Sequence, residues 1–253
     1  MRWLRRALLA SALALLAAVA HAQPVAVAAA ADLQAVLPAL AARFEQSGAT
    51  RVVPTFGSSG NFYAQIQNGA PFDLFLSADI AYPRRLVQSG LADPGTLRRY
   101  AVGRLVVWTR SDSGIDIGAG LQALAGPRVG RIALANPEHA PYGQAAVAAL
   151  AREGLYDTLR ARFVLGENIS QAAQFAQSGN ADVGLVALSL ALAPAMKASG
   201  VWVEVPSSLH APIEQGGVVL KAARNPAGAR DFLAFLAGAD AVRLLRANGF
   251  EAP

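Results

Sequence analysis

Residues 55–66, TFGSSGNFYAQI, join a predicted strand to a predicted helix through a turn of two glycines and two serines. The strand covers Val52 to Phe56, and the glycines let the backbone of the turn approach a neighbour closely. The helix that follows directs unpaired N–H groups and the positive end of its dipole at the turn. The serines add hydroxyl donors. The segment therefore predicts a small anion site that needs no Arg or Lys.

Strand-like and helix-like segments alternate along the chain and predict an α/β fold. In the first part, apolar strand segments at 24–31, 51–56 and 72–76 are separated by segments in which apolar residues recur at helical spacing. This order implies a parallel sheet with right-handed crossovers. A second series starts at 105–109, and two series of similar make-up predict two lobes. The remaining predicted strands lie at 131–134, 162–165, 183–187, 201–205 and 213–221, before helices at 227–248.

The N-terminal residues have the pattern of a cleavable secretory signal. Residues 1–6 are basic, residues 7–20 are apolar, and Ala20-His21-Ala22 gives a small-x-small cleavage site. An apolar run of 14 residues is shorter than the roughly 20 that span a bilayer. We therefore predict a signal peptide at 1–22 and a protein in the periplasm. Removing its three arginines lowers the formal charge from +5 to +2, which gives no reason to expect a nucleic-acid partner.

Residue counts narrow the chemistry that the chain can support. It contains no cysteine, which excludes disulfides, thiolate metal sites and a lipid-modified N-terminal cysteine. After residue 22 the only histidines are His139 and His210, so no histidine-rich metal cage is expected. Ser59 could join a histidine and an aspartate in a hydrolase, but residues 57–61 lack the Gly-x-Ser-x-Gly elbow. A serine hydrolase is therefore a remote alternative, and we expect a binding protein with no cofactor.

Six segments occur in a fixed order along the chain: Val27–Leu33, Phe56–Gly60, Gly69–Asp79, Asn136–Gly143, Gly166–Ile169 and Asn248–Phe250. In this order they resemble the corresponding segments of the periplasmic molybdate-binding proteins of ABC transporters, which are type II periplasmic binding proteins. The resemblance covers essentially the whole chain after residue 22. It implies a two-lobed fold in which each lobe has a mixed, mostly parallel sheet flanked by helices. Two hinge crossings would separate a first lobe, 24–103 plus 207–253, from a second lobe, 104–206.

The same resemblance implies a function. The protein would capture molybdate, and tungstate, in the cleft between the lobes and deliver it to the membrane permease of an ABC importer. We expect it to act as a monomer. The family's ligand contacts fall on Asp32, Ser59, Tyr142 and Ile169, with Ala31 and Ser58 as additional candidates. These contacts would reach the oxyanion oxygens only, never the metal atom.

Two positions depart from the family pattern. A tyrosine donor found in some relatives falls on Ala187, so that hydroxyl is absent. Asp32 stands where many relatives have a neutral serine or asparagine. A carboxylate about 4 Å from each unit of ligand charge is repelled by about 1 kcal/mol in water and about 4 kcal/mol at an effective dielectric constant of about 20. We therefore predict that the Asp32 side chain caps its own helix and leaves the N–H of Ala31 or Asp32 for the ligand. Asp32→Ser should preserve or tighten binding.

Receptors of the same architecture for sulfate, phosphate or iron(III) remain open as alternatives. Iron receptors of this shape usually present paired tyrosines, and no two of the five tyrosines are adjacent in this sequence. Sulfate and molybdate differ only slightly in radius, which residue types do not reveal. Single motifs also permit plainer interpretations, with the serines as a simple turn, Tyr142 as a surface aromatic and Asn168-Ile169 as a helix cap followed by a core residue.

Overall fold

A computed structural model describes residues 23–48 and 50–253. The predicted signal peptide at 1–22 lies outside the described residues. Within the described part of the chain, no helix has both the length and the apolar character needed to cross a bilayer.

The first of two five-stranded sheets has the strand order β2-β1-β3-β10-β4. Strand β1 pairs in parallel with β2 and β3, whereas β10 is antiparallel to both β3 and β4. Strands β1 and β3 consist almost entirely of Ala, Val, Leu and Phe, as expected for strands covered on both faces. The strands are β1 (Val25–Ala30), β2 (Val52–Gly57), β3 (Leu74–Ser77), β4 (Arg98–Gly103) and β10 (Ile213–Val219).

Five helices surround this sheet and, together with it, form what we call the first lobe. A short 3₁₀ helix, Ala31–Ala35, follows β1 directly and leads into the first α-helix. Pro38 is at the start of that helix, where its missing N–H costs nothing. The helices are α1 (Leu37–Glu45), α2 (Ser59–Gln67), α3 (Ala81–Gln88), α9 (Pro226–Leu236) and α10 (Ala239–Ala247).

The second sheet has the order β7-β6-β8-β5-β9 and, with its helices, forms the second lobe. Strands β6, β7 and β8 are parallel, and β5 is antiparallel to β8 and β9. Trp108 on β5 is fully buried in its core. The strands are β5 (Leu105–Arg110), β6 (Ile132–Ala135), β7 (Phe163–Gly166), β8 (Val183–Ala187) and β9 (Gly200–Glu204). The helices are α4 (Pro141–Arg152), α5 (Tyr156–Leu159), α6 (Ile169–Gln177), α7 (Leu188–Ala191) and α8 (Pro194–Ser199).

The chain passes between the two sheets twice. It leaves the first sheet after Gly103, enters the second at Leu105, and returns between β9 and β10. Arg104 lies at the first passage and forms ion pairs with Glu204 and with Glu251, the latter at 3.6 Å. The predicted fold class, two mixed sheets flanked by helices, is confirmed. The lobe limits proposed from the sequence stay a prediction.

Asp73 forms hydrogen bonds to both chain segments of the first lobe, near its N-terminal strand β1 and before helix α9. We expect Asp73→Ala to destabilise the protein by about 3 kcal/mol or more. The buried carboxylate accepts from the N–H groups of Ala26 at 2.7 Å, Arg224 at 2.6 Å and Asn225 at 3.1 Å. Truncation leaves these donors without their acceptor. Urea unfolding would measure the loss. The control is Asp116→Ala, which removes one bond to Gly118 in an exposed loop; an equal loss in both variants would contradict the prediction.

Candidate anion-binding site

A small cavity lies where the two lobes meet, and residues of both lobes line it. Its volume is about 10 Å³, far below the roughly 300–1,000 Å³ of sites for drug-sized ligands. A cavity this small has no room for a sugar or a nucleotide. The lining includes all six residues predicted from the sequence: Ala31, Asp32, Ser58, Ser59, Tyr142 and Ile169. Their role as ligand contacts stays a prediction.

The first-lobe wall of the cavity includes the start of α2. Ser58 is the N-cap of this helix, and its side chain accepts from the N–H of Asn61. The hydroxyl oxygen of Ser59, the next residue, accepts from the N–H of Ala78 at 2.9 Å. The hydroxyl hydrogen of Ser59 is thus left to donate. The N–H of Ser59, in the first turn, has no acceptor within the helix, so this residue can offer two neutral donors.

The second-lobe wall includes the starts of α4 and α6. Tyr142 follows Pro141 in the first turn of α4, and Ile169 is the first residue of α6. The side chain of Asn168 accepts from the N–H groups of Ser170 and Gln171, which leaves the N–H of Ile169 without an intrahelical partner. Tyr142 is buried rather than a surface aromatic. Three helix N-termini therefore converge on a cavity that no Arg, Lys or His lines among the described residues.

Asp32 is placed differently from the prediction. Ala30 occupies the N-cap position of the 3₁₀ helix, and no side chain caps it, so the predicted cap by Asp32 is wrong. The carboxylate turns into the fully buried junction of the lobes. Its Oδ2 accepts from the Tyr142 hydroxyl at 3.0 Å and from Gln215 Nε2 at 2.8 Å. Its Oδ1 has no hydrogen-bond partner in the described part of the chain.

The junction around Asp32 joins the lobes through several neutral groups. Ser189, on α7 of the second lobe, donates its hydroxyl to the carbonyl oxygen of Asp32 at 2.7 Å. Tyr100, on β4, donates to Gln215 Oε1 at 3.3 Å. Burial, together with the negative charge of Asp32, raises the pKa of Tyr100 and Tyr142 well above the usual value. Both phenols therefore stay protonated and act as donors.

We expect the stability of the ligand-free protein to depend on pH through Asp32. Burial, only partly offset by its hydrogen bonds, raises the pKa of Asp32 from 3.8 to about 6. The folded protein then binds this proton more tightly than the unfolded chain does, so protonation of Asp32 stabilises the fold. This stabilisation is complete below about pH 4 and is lost as the pH rises through about 6. Asp32→Asn, which cannot ionise, should lack this loss. Urea unfolding over that range would test it, and identical pH profiles for the two proteins would contradict it.

A second set of contacts joins the lobes at the rim of the cavity. Ser58 Oγ lies 2.9 Å from His139 Nδ1, and the N–H of Gly60 donates to the His139 carbonyl oxygen at 2.9 Å. Asn61 Nδ2 donates to Glu167 Oε2 at 3.4 Å. Neither His139 nor Glu167 is predicted from the sequence to make these contacts. Such pairs between distant residues leave no pattern in the sequence.

The rim also bears on the hydrolase alternative. Ser59 is the serine that a hydrolase of this sequence would use, but its hydroxyl oxygen accepts a hydrogen bond from the N–H of Ala78 and does not contact His139. Ser58 does contact His139, but His139 Nε2 lies 3.7 Å from Glu167 Oε2, which is longer than a hydrogen bond. The oxygen of Ser58 already accepts at the start of α2. This geometry falls short of a hydrogen-bonded Ser–His–acid chain.

The iron(III) alternative depends on metal ligands. Among the described residues, no group of three or more His, Cys, Asp or Glu is placed to hold a metal ion. Tyr142 is the one tyrosine that lines the cavity, and its hydroxyl is bonded to Asp32. The rings of Tyr63 and Tyr82 pair at 5.3 Å outside it. Ala187, where some relatives have a tyrosine donor, is buried at the end of β8.

Known proteins show strong similarity to this chain. A family model described as bacterial extracellular solute-binding protein matches residues 25–251. The molybdate-binding protein ModA of Azotobacter vinelandii is 38% identical over 98% of this chain and 97% of its own. Its namesake from Rhodobacter capsulatus is 42% identical over 81% of this chain and 79% of its own.

A solved structure agrees with this similarity. The periplasmic molybdate-binding protein of Azotobacter vinelandii superposes with a TM-score of 0.85 at 38% identity, covering 90% of this chain and 99% of the other. Sequence and fold agree over nearly all of the described residues. The chain belongs to the family of bacterial extracellular solute-binding proteins.

Proposed function

We propose that this protein is the substrate receptor of an ABC importer, which captures molybdate or tungstate between its lobes and delivers it to a membrane permease. The observation that carries the proposal is the cavity at the junction of the lobes, lined by helix starts and a serine hydroxyl and, within the described ranges 23–48 and 50–253, by no cationic side chain. Neutral donors fixed in direction select an oxyanion by its size and shape. A cationic side chain would attract any anion.

The mechanism is capture, closure and release, with no covalent step. Ser59 comes from one lobe and Tyr142 and Ile169 from the other, so an oxyanion gains all its contacts only when the lobes are closed. This difference in contacts is what can drive closure. The oxyanion binds through its oxygens, and no residue bonds to the metal atom. The protein works as a monomer in the periplasm, after removal of residues 1–22, and needs no cofactor.

Titration calorimetry with molybdate, tungstate, sulfate and phosphate would test the proposal. Molybdate and tungstate have nearly the same size and charge, so both should bind tightly and with similar affinity. Sulfate should bind more weakly because its oxygens lie closer to the central atom. Tight sulfate binding with no heat from molybdate would reject molybdate as the ligand. Turnover of an ester substrate, lost in the Ser58→Ala variant, would instead support the hydrolase alternative.

A further inference from the structure

Asp32 places an ionisable acceptor in a site otherwise suited to anions. An ionised carboxylate has no hydrogen to donate, and it repels a dianion in the same cavity. Yet the residue lines the cavity and is fully buried. A buried charge of this kind is costly unless it is paired or neutralised.

The two carboxylate oxygens have different surroundings. Oδ2 accepts two hydrogen bonds, from the Tyr142 hydroxyl and from Gln215 Nε2. A proton on Oδ2 would compete with these donors. Oδ1 has no partner in the described part of the chain, so a proton can reside there and point to an acceptor that the protein itself does not supply.

In the part of the chain that the structure describes, no cationic group near Asp32 compensates its charge. The side chains that donate to its carboxylate are Tyr142 of α4 and Gln215 of β10, and Ser189 of α7 donates to its backbone carbonyl oxygen. The backbone N–H groups of Asp32 and Leu33 also lie near the carboxylate and are uncharged. Behind Gln215 lies Tyr100 of β4, also uncharged at neutral pH.

The elements packed most closely against the 3₁₀ helix of Asp32 are β1, β2, α1, α6 and α7. Among them only α1 carries ionisable side chains, Arg43 and Glu45. Arg43 pairs with Asp240 at 3.5 Å, and Glu45 accepts from the N–H of Val52. Neither neutralises Asp32.

We propose, on the basis of the function proposed above, that Asp32 takes up one proton from solution when a tetrahedral dianion fills the cavity. The neutral acid then donates from Oδ1 to an oxygen of the ligand, while Oδ2 keeps its bonds to Tyr142 and Gln215. Closing the lobes removes Asp32 from water, and the dianion adds its own negative charge. Both effects favour the protonated acid.

Binding should therefore become weaker as the pH rises. When one proton enters with the ligand, affinity falls about tenfold for each pH unit above the pKa of Asp32 in the ligand-free protein. Below that pKa the affinity levels off, because the proton is already present. A chain with a neutral side chain at this position would bind independently of pH over the same range.

Titration of the protein lacking residues 1–22 with sodium molybdate at about pH 7.5, in buffers of different ionisation enthalpy, would count the protons. The wild-type protein should take up close to one proton per molybdate, and its dissociation constant should rise with pH between about pH 6.5 and 8.5. Asp32→Asn should keep binding but lose both the uptake and the pH dependence. Proton uptake and the pH dependence of the dissociation constant are both measured on the wild-type protein. The proposal therefore stays testable if Asp32→Asn fails to fold.

His139 is the matched control, because its side chain lies at the rim of the cavity in contact with Ser58. His139→Gln should retain the proton uptake of the wild-type protein. The proposal is overturned if the wild-type protein binds molybdate without proton uptake, if Asp32→Asn still takes up a proton, or if His139→Gln abolishes the uptake.

Phosphate binding distinguishes this proposal from the alternative in which Asp32 stays ionised and accepts a hydrogen bond from the ligand. Hydrogen phosphate carries its own proton, which an ionised Asp32 could accept. Tight phosphate binding without proton uptake would overturn the proposal, since Asp32 would then act as an acceptor. Absence of heat with every oxyanion would instead reject the proposed function, so the two failures can be told apart.

Discussion

Gly60→Ala should weaken oxyanion binding by about tenfold to a hundredfold without lowering the stability of the ligand-free protein. A Cβ at this position would lie 2.7 Å from the His139 carbonyl oxygen and 2.9 Å from its Cα. These are backbone atoms of the other lobe, so the lobes would have to move apart. Overpacking of this kind costs about 1–3 kcal/mol, and each 1.4 kcal/mol is about tenfold in affinity. When the lobes move apart, the added Cβ no longer contacts His139, so the free energy of unfolding of the ligand-free protein should not fall.

Titration calorimetry and thermal unfolding without ligand would measure these two effects separately. Gly95→Ala is the matched control in the same lobe, because its added Cβ would meet only Asp93 Oδ1, at an ordinary 3.4 Å. It should leave the affinity for molybdate unchanged. Full affinity in Gly60→Ala would show that closure does not bring these two backbones together.

Ser59→Ala should weaken molybdate binding by about tenfold to a hundredfold and also destabilise the protein. Loss of a hydrogen bond to a charged group costs about 1.5–3 kcal/mol, which sets the binding effect. The same oxygen accepts from the buried N–H of Ala78, and leaving that donor unpaired costs about 1–3 kcal/mol of stability.

The Thr96→Val variant distinguishes these two roles of the hydroxyl. Thr96 is buried, and its Oγ1 accepts from the N–H of Val219 at 3.0 Å, but it does not line the cavity. It should lose stability as Ser59→Ala does, and keep its affinity. If calorimetry shows equal loss of affinity in both variants, the effect of Ser59 comes from folding and not from donation to the ligand.

Most of the fold could be predicted because its strands are short apolar runs bounded by turns. The prediction of 183–187 agrees with β8 at both ends. Strand β4 was missed because Arg98 and Arg99 open it and its neighbour in the sheet, β10, lies more than 100 residues further on. The sequence predicts a turn at 136–143 and a helix from Gln144, whereas helix α4 begins at Pro141. Proline is typical of a loop, but it also suits the first helical position.

The site could be predicted where it consists of strand-to-helix turns, and not where it depends on the closure of the lobes. Ser59, Tyr142 and Ile169 lie at helix starts that the sequence marks with Gly, Ser, Pro and Asn. Asp32 was assigned to a helix cap from local preference, but tertiary contacts decide its position. Its partner Gln215 is 183 residues away in the chain, a separation at which no local pattern operates.

The order of strands in the first sheet has a consequence for how the protein folds. Strand β4 pairs with β10 at the edge of that sheet, and β10 follows the whole second lobe in the chain. The second sheet is formed by consecutive strands, β5 to β9, and can form by itself. The first sheet requires contacts between residues far apart in the sequence, and such contacts form slowly. A nascent chain that ends before β10 thus has no completed first lobe, because its last strand is not yet in place.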